Sequence, residues 1–532
     1  MTDPPAATLV ELLAVRARDM PERPAFTFGS ETTTFAQLWQ MVNAAARQFL
    51  AAGLQPGERV VMALPNGAEF FAAFYGAQRA GGIAVPAFPG FGPERLLRQA
   101  ALCGARLIVV PSAAPAGRLA ELRALAADGP AVLMLGAGPA AAQPSFPLVA
   151  PDDIAYLQYT SGSTGDPKGV QLTHTNLLTN VRQMMAGMAL SPRDVFVSWL
   201  PVYHDMGLIL MTMAPFYLAA ELHLLPTNLK DVRPWLETIS RWRGSFTAAP
   251  DYAYRLCLRQ VPGAQAAAYD LHGLRVALNA AEPVRASTLE QFERAFELGP
   301  VMAAGYGLAE ATVGVAMWPP GTPPRVDERG LVSVGRPFPG IELQIVRGPA
   351  PLPAGEPGEI VVRSPANTAG YYRNPAATAD LFWGPGMVHT GDLGYLDPDG
   401  NLFIAGRLKN VIKRAGQTIY PQEVEEVVDG VPGLRYSAAV GIDRGRAEGE
   451  QVYVFAEVRE AGSRPREALH ALGVAVVEQV YAQLGFRPGR VYLLRSRSLP
   501  LTYNGKLQHA QLREDYLSGA LARRGDILYP DL

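Results

Sequence analysis

Between Val60 and Val85 the chain reads VVMALPNGAEFFAAFYGAQRAGGIAV, a short apolar run, then Phe71, Phe74 and Tyr75 at helical spacing, then Gly-Gly and another apolar run. Short apolar runs bounded by turn residues suit strands buried on both faces, and the spacing between them suits a covering helix, so this stretch predicts a βαβ unit. Further buried strands are expected at Leu107 to Val110 and Val132 to Leu135, separated by Ala/Leu/Arg helical text, which makes the first 150 residues one α/β layer system. A second α/β stretch runs from Tyr156 to about Tyr306. From Gly330 to Gly406 the pattern shortens to alternating runs such as GIELQIV, GEIVVRS and GNLFIAG with Gly and Pro between them, the mark of a small β-rich subdomain. The remaining residues hold two strand-like runs (YSAAVGI, QVYVFAEV), one long helix and a terminal strand RVYLL, enough for a small α+β domain. The most apolar window, Met206 to Leu225, is broken by Pro215, Glu221 and His223 and predicts a buried helix rather than a membrane span. There is no internal repeat.

Composition narrows the class. The 532 residues carry 47 Lys and Arg against 49 Asp and Glu, a formal charge of -2, with 48% hydrophobic residues and a mean hydropathy of +0.06. These values exclude disorder, collagen and a polycationic nucleic-acid binder. Cys103 and Cys257, both in apolar text without a metal-ligand spacing, are expected as buried small hydrophobes in a reducing compartment, with no zinc site. The first residues lack the basic start and apolar run of a secretory signal, so the expected location is cytoplasmic.

The strongest chemical signal is YTSGSTGDPKGV, Tyr159 to Val170, directly after an apolar run. Its glycines, hydroxyls and Lys168 can turn backbone N-H groups and positive charge toward an anion, so it predicts a phosphate-binding loop. It is not a Walker A loop, because Lys168 follows Pro167 and precedes Gly169 instead of standing in Gly-Lys-Ser/Thr, which disfavours a P-loop kinase or ATPase. In order there follow PVYHDMGL (201–208), NAAEP (279–283), YGLAEAT (306–312), HTGDLG (389–394), GRLKNVIKRAGQ (406–417) and LPLTYNGK (499–506). Standing alone, Asp392 would read as a turn cap and Arg407 as a surface charge.

Seven ordered motifs over nearly the whole chain resemble the adenylate-forming superfamily of acyl-CoA synthetases, nonribosomal adenylation domains and luciferases. SWLPVYHDMGLI, LNAAEPVR, YGLAEATV and RLCLR look most like its fatty acyl-AMP ligases. The resemblance implies an α/β architecture, with a large multi-subdomain N-terminal domain (about 1–408, β-rich subdomain about 330–406) and a small mobile α+β C-terminal domain (409–532) hinged at Lys409. It implies Mg2+-dependent activation of a hydrophobic carboxylic acid by ATP to acyl-AMP. Transfer then follows to the phosphopantetheine thiol of an acyl or peptidyl carrier protein, as in polyketide or nonribosomal peptide biosynthesis, with CoA the alternative acceptor. A degenerate nucleotide-binding partner protein is the non-enzyme alternative, disfavoured because Glu310, Asp392 and Lys506 are all present.

Residue by residue, the resemblance places Thr160, Ser161, Gly162, Ser163, Thr164, Gly165 and Lys168 on the pyrophosphate side. Tyr306 and Gly307 lie on one face of adenine, with Ala281, Glu282 and Pro283 opposite. Glu310 is the magnesium-associated carboxylate. Ala309 stands where the superfamily often has Thr, so Thr312 is expected to supply the hydroxyl to the α-phosphate. Asp392 corresponds to the ribose-binding carboxylate and Arg407 to a ribose or phosphate contact, while Lys506 matches the lysine bridging the carboxylate and the α-phosphate. The acyl pocket is expected around His204, Met206, Gly207, Ala248 and Pro250. As sequence neighbours, His204 and Asp205 are not expected to face each other, and an ionised acid needs no general base. Fatty acyl-AMP ligases typically carry an insertion near residues 313–340 that restrains the small domain; the short link here lacks it.

Overall fold

The computed structural model describes residues 4–529 except 128, 137–144, 161–166, 228–229, 415–416, 446–448, 460–463 and 502–506. It is a mixed α/β chain with large N-terminal sheets and a smaller C-terminal domain. The predicted βαβ unit is present as parallel strands Arg59–Met62 and Ile83–Pro86 joined by the helix Ala68–Arg79. They belong to a six-stranded sheet that also holds Leu107–Val110 and Ala131–Met134. A nine-stranded sheet is built around parallel strands Val195–Ser198, Glu221–Leu224, Phe246–Ala249, Val276–Asn279 and Met302–Tyr306.

The two α/β stretches are not separate layer systems. Pro24–Phe28 leaves the first stretch to pair with Glu221–Leu224 in the nine-stranded sheet, and Ile154–Thr160 with Lys168–Thr173 completes the six-stranded one. An apolar strand announces that it is buried but not beside which partner, so this exchange leaves no local trace. The helix Ala68–Arg79 shows why the exchange is stable. It is apolar nearly all round, as a helix enclosed on every side must be. Its Phe71 lies 5.1 Å from Phe26 of the nine-stranded sheet and its Phe74 5.6 Å from Tyr156 of the six-stranded one, measured between ring centroids.

The apolar window expected as one helix is two short ones, a π-helix Met206–Met213 and an α-helix Ala214–Leu218, followed by the strand Glu221–Leu224. Every residue of both helices is buried, and among the described residues no helix is long and apolar enough to cross a membrane. Strands from Glu342–Arg347 to Leu402–Arg407 form an antiparallel sheet, in which HTGDLG lies within the ten-residue strand Met387–Leu396. Leu434–Asp443, Glu450–Val458, Arg490–Leu494 and Ile527–Tyr529 form the four-stranded C-terminal sheet, covered by the helices Pro421–Asp429 and Arg466–Leu484. Cys103 and Cys257 are both buried, and burial pushes the Cys103 thiol up to about 11.

Candidate active site

The carboxyl ends of parallel strands collect exposed backbone and loop side chains, which is where open α/β sheets place ligands. Here Val276–Asn279 runs into Ala280 to Pro283, and Met302–Tyr306 runs into Gly307. Both border a cleft of about 690 Å³ whose walls also come from the antiparallel sheet and from the C-terminal domain, including Glu425, Tyr436 and Leu507 to Ala510. Ala281 holds φ +72°, a left-handed conformation uncommon outside glycine, on the cleft wall. Gly307 is required for a different reason: a Cβ there would stand 1.6 Å from the Val313 carbonyl oxygen.

At one end of the cleft a buried carboxylate is held from two directions. Asp392 and Arg407 are register partners on neighbouring antiparallel strands, and Arg407 Nε lies 2.8 Å from Asp392 Oδ1. The Tyr306 hydroxyl donates to Asp392 Oδ2 at 2.7 Å, and Arg407 Nη1 donates to the Thr390 carbonyl at 3.2 Å. Burial lowers the basicity of Arg407, but Asp392, Tyr306 and Glu310 outweigh it and its pKa lies above the ordinary value. Burial, reinforced by Asp392, raises the Tyr306 phenol well above its ordinary range, so it stays a donor. Lys409 borders the same cleft, its pKa lowered by burial and then by Arg407.

Glu310 forms a second acidic point. The Tyr371 hydroxyl donates to its Oε1 at 2.8 Å, and the backbone N-H of Thr368 donates to its carbonyl at 2.8 Å. Lys168 Nζ sits 4.8 Å from the centre of the Tyr371 ring, a cation–π contact with the tyrosine that holds Glu310. Lys168 is the register partner of Thr160, so the stem of the predicted phosphate loop opens onto the cleft. Ser161, Gly162, Ser163, Thr164 and Gly165 lie outside the described residues, as does Lys506. Tyr371 carries no local mark in the sequence; only the fold brings it to a glutamate 61 residues away.

Apolar side chains also line the cleft, among them Met184, Met188, Met206, Leu210 and Phe338. Met184 and Phe338 close down on Gly314, where a Cβ would meet Met184 Sδ at 2.7 Å and Phe338 Cε2 at 3.0 Å. His204 is on the wall, and contrary to the expectation for sequence neighbours its Nδ1 lies 2.9 Å from Asp205 Oδ1. The chain turns here into the π-helix, with His204 N-H donating to the Pro201 carbonyl and Asp205 Oδ1 accepting from Met206 N-H, and the turn folds the two side chains together.

Of the expected residues, Thr160, Lys168, His204, Met206, Ala281, Glu282, Pro283, Tyr306, Gly307, Glu310, Asp392, Arg407 and Lys409 all border this one cleft. Four do not. Thr312 is fully buried at φ +72° and donates its hydroxyl to the Ala366 carbonyl at 2.6 Å. Gly207 packs on the Pro201 carbonyl, Ala248 is buried within its strand, and Pro250 caps the helix Asp251–Gln260.

The strand-end cleft of this α/β chain brings together an aromatic, a braced carboxylate, a separate acidic group and apolar side chains, the kind of place where open α/β enzymes bind ligands. The chain belongs to the AMP-binding enzyme family, whose model matches residues 13–372. It is 32% identical over 579 residues to the medium-chain-fatty-acid–[acyl-carrier-protein] ligase JamA of Moorena producens, covering 98% of this chain and 97% of that one. It is 30% identical over 586 residues to the long-chain-fatty-acid–AMP ligase FadD26 of Mycobacterium tuberculosis, covering 96% and 97%. Among solved structures, one from a study of fatty acyl-adenylate ligases of E. coli and L. pneumophila superposes with a TM-score of 0.86 at 28% identity, over 98% of this chain and all of that one.

Proposed function

We propose that the chain activates a hydrophobic carboxylic acid with ATP, releases pyrophosphate, and passes the acyl group from acyl-AMP to the phosphopantetheine thiol of an acyl or peptidyl carrier protein. The observation that carries this reading is the convergence of the Tyr306–Asp392–Arg407 system, the Glu310–Tyr371 pair and apolar side chains on one cleft. In the first half-reaction a carboxylate oxygen attacks the α-phosphorus and the bond to pyrophosphate breaks, with no proton moved. Charge builds on phosphate oxygens, so positioned cations do most of the work. Lys168, the 161–165 loop and Lys506 supply that stabilisation. Tyr306 and Gly307 lie on one face of adenine and Ala281 to Pro283 on the other. Asp392, already engaged by Tyr306 and Arg407, is the carboxylate we assign to the ribose hydroxyls, which a carboxylate can only accept from.

Glu310 would hold Mg2+, which when bound neutralises charge on the phosphate oxygens. Its hard oxygen fits that ion, which keeps several waters and needs only one or two protein carboxylates beside substrate phosphates. The described residues contain no cluster of three or more metal-ligating side chains, consistent with an ion brought in with the nucleotide. In the second half-reaction the thiol sulfur attacks the acyl carbon, AMP leaves and the thiol proton is lost. The two steps need different neighbours around one acyl-AMP, so we take residues 409–532 to rotate about Lys409, in the short turn Leu408–Asn410, relative to residues 1–408.

Pyrophosphate exchange across a panel of fatty and aryl acids tests the first step; exchange with no acid would leave only the non-enzyme reading. One observation favours CoA as a second acceptor. The match to JamA spans 579 residues against 532 in this chain, so the relative contributes at least 47 residues with no counterpart here, and we place the missing restraint on the small domain among them. Free CoA and a panel of phosphopantetheinylated carriers, offered to the loaded enzyme, separate the acceptors. Efficient acyl-CoA production without carrier acylation would overturn the carrier reading and leave the adenylation reading intact.

A further inference from the structure

On the cleft wall away from Glu310, the two domains meet through a buried set of charges that none of the roles above uses. Asp429 ends the small-domain helix Pro421–Asp429, and its side chain is only 4% exposed. Its Oδ2 lies 2.6 Å from Arg285 Nη2 and 3.9 Å from Arg255 Nη1, both of the large domain. Its Oδ1 accepts from Ser437 Oγ of its own domain at 2.7 Å. Arg255 is anchored in turn, with Nε 3.0 Å from Asp251 Oδ2 and the guanidinium 5.9 Å from the centre of the Tyr436 ring. Asp251 Oδ1 accepts from Asn279 Nδ2 at 3.0 Å and from the backbone N-H of Arg285 at 3.3 Å. Burial raises the Asp429 carboxyl above its ordinary value, opposed chiefly by Arg285.

Two placements give this pair a consequence beyond packing. Arg285 stands two residues after Pro283, so the small domain grips the loop assigned to the adenine. In the same pose Leu507 to Ala510, next in sequence to Lys506, line the cleft that holds Asp392 and Glu310. The pose in which Leu507 to Ala510 line this cleft is taken as the one in which adenylate forms.

We propose that Arg285, supported by Arg255, is a positioning residue that holds Asp429 and with it the small domain in the adenylate-forming pose, and that this ion pair must part before thiol transfer. The inference rests on the two-step reading above. A buried pair suits such a device: removing one partner strands a desolvated charge, whereas rotation of the whole domain returns both to water. Its loss therefore biases the domain equilibrium without touching a group that contacts substrate.

The test compares wild type with Asp429→Asn and Arg285→Gln in the full chain. Three measurements are made: hydrogen exchange of the free protein, single-turnover adenylate formation from ATP and decanoate, and transfer from purified decanoyl-adenylate to pantetheine. Both variants should exchange faster over residues 425–437 and 280–285 and form adenylate about ten- to a hundredfold more slowly. Transfer to pantetheine should be undiminished, and Asp429→Glu, which keeps the charge, should recover part of the adenylation rate. An equal fall in both half-reactions, or unchanged exchange with unchanged adenylation, would overturn the proposal. If wild type forms no adenylate from any acid, the functional reading fails, and the exchange pattern still decides whether this pair holds the domains together.

Discussion

Replacing Tyr371 by Phe removes one oxygen from the cleft and leaves the rest of the side chain in place. That oxygen donates to Glu310 Oε1 at 2.8 Å, while the backbone of Glu310 is fixed independently by Thr368 N-H. The ring facing Lys168 at 4.8 Å is retained. A hydrogen bond to a charged acceptor contributes about 1.5–3 kcal/mol, and every 1.4 kcal/mol is about tenfold in an equilibrium constant. If Glu310 is the carboxylate that meets Mg2+, losing its brace should weaken apparent Mg2+ affinity by about 10- to 100-fold, the usual effect of removing a group that orients a metal ligand. The assay is pyrophosphate exchange at saturating ATP and acid, titrated with Mg2+, alongside a melting curve. The half-saturating Mg2+ concentration should rise by that factor, the maximal rate should return at high Mg2+, and KM for the acid should stay put. Unchanged Mg2+ dependence in a stably folded variant would refute the assignment of Glu310. So would a rate loss that Mg2+ cannot restore, which would make Tyr371 a phosphate-positioning group instead.

Lys506→Ala should cut adenylation by about 10²–10³, the loss of one preorganised electrostatic donor, and spare transfer from supplied acyl-AMP; near-normal pyrophosphate exchange would sink its role. Proline at Lys409 should fix φ at the turn, so that acyl-AMP accumulates while thioester formation drops; if both half-reactions fall together, or neither does, the hinge is elsewhere. Burial, then Asp251, pushes the Glu282 carboxyl up to about 7, above its ordinary 4.5. A carboxyl whose pKa is higher in the folded state favours folding by taking up a proton, so this contribution is full below about pH 4.5 and lost as pH rises toward 7. Glu282→Gln, which cannot ionise, should therefore flatten the decline in melting temperature between pH 5 and pH 8, and an unchanged pH profile would show that Glu282 does not titrate there.

What the sequence discloses depends on the range over which each requirement acts. A phosphate loop needs glycines, hydroxyls and a lysine within a dozen residues, and a buried strand needs consecutive apolar side chains. Tyr159 to Val170 and the βαβ unit are therefore visible to inspection, and seven such local requirements in order suffice to name a family. Requirements met between distant segments leave no such print. Pro24–Phe28 looks like any half-buried strand until Glu221–Leu224 is beside it. Tyr371 looks like a surface aromatic until Glu310 arrives, and Arg285 and Asp429, 144 residues apart, read separately as solvated charges. Thr312 shows the complementary case: its position in YGLAEAT suggests a phosphate donor, and only the structure shows that its hydroxyl meets the Ala366 carbonyl. Spacing states which residue types are near the reaction, and only backbone direction decides which of them can reach it. The same reasoning bears on the acid. Met184, Met188 and Phe338 are unremarkable core residues in the text, yet they border the cleft with the expected Met206, and Met184 and Phe338 close on Gly314. If the acid enters between these side chains, the length accepted should depend on how far the flexible thioethers and the ring give way, a property of packing that no motif encodes.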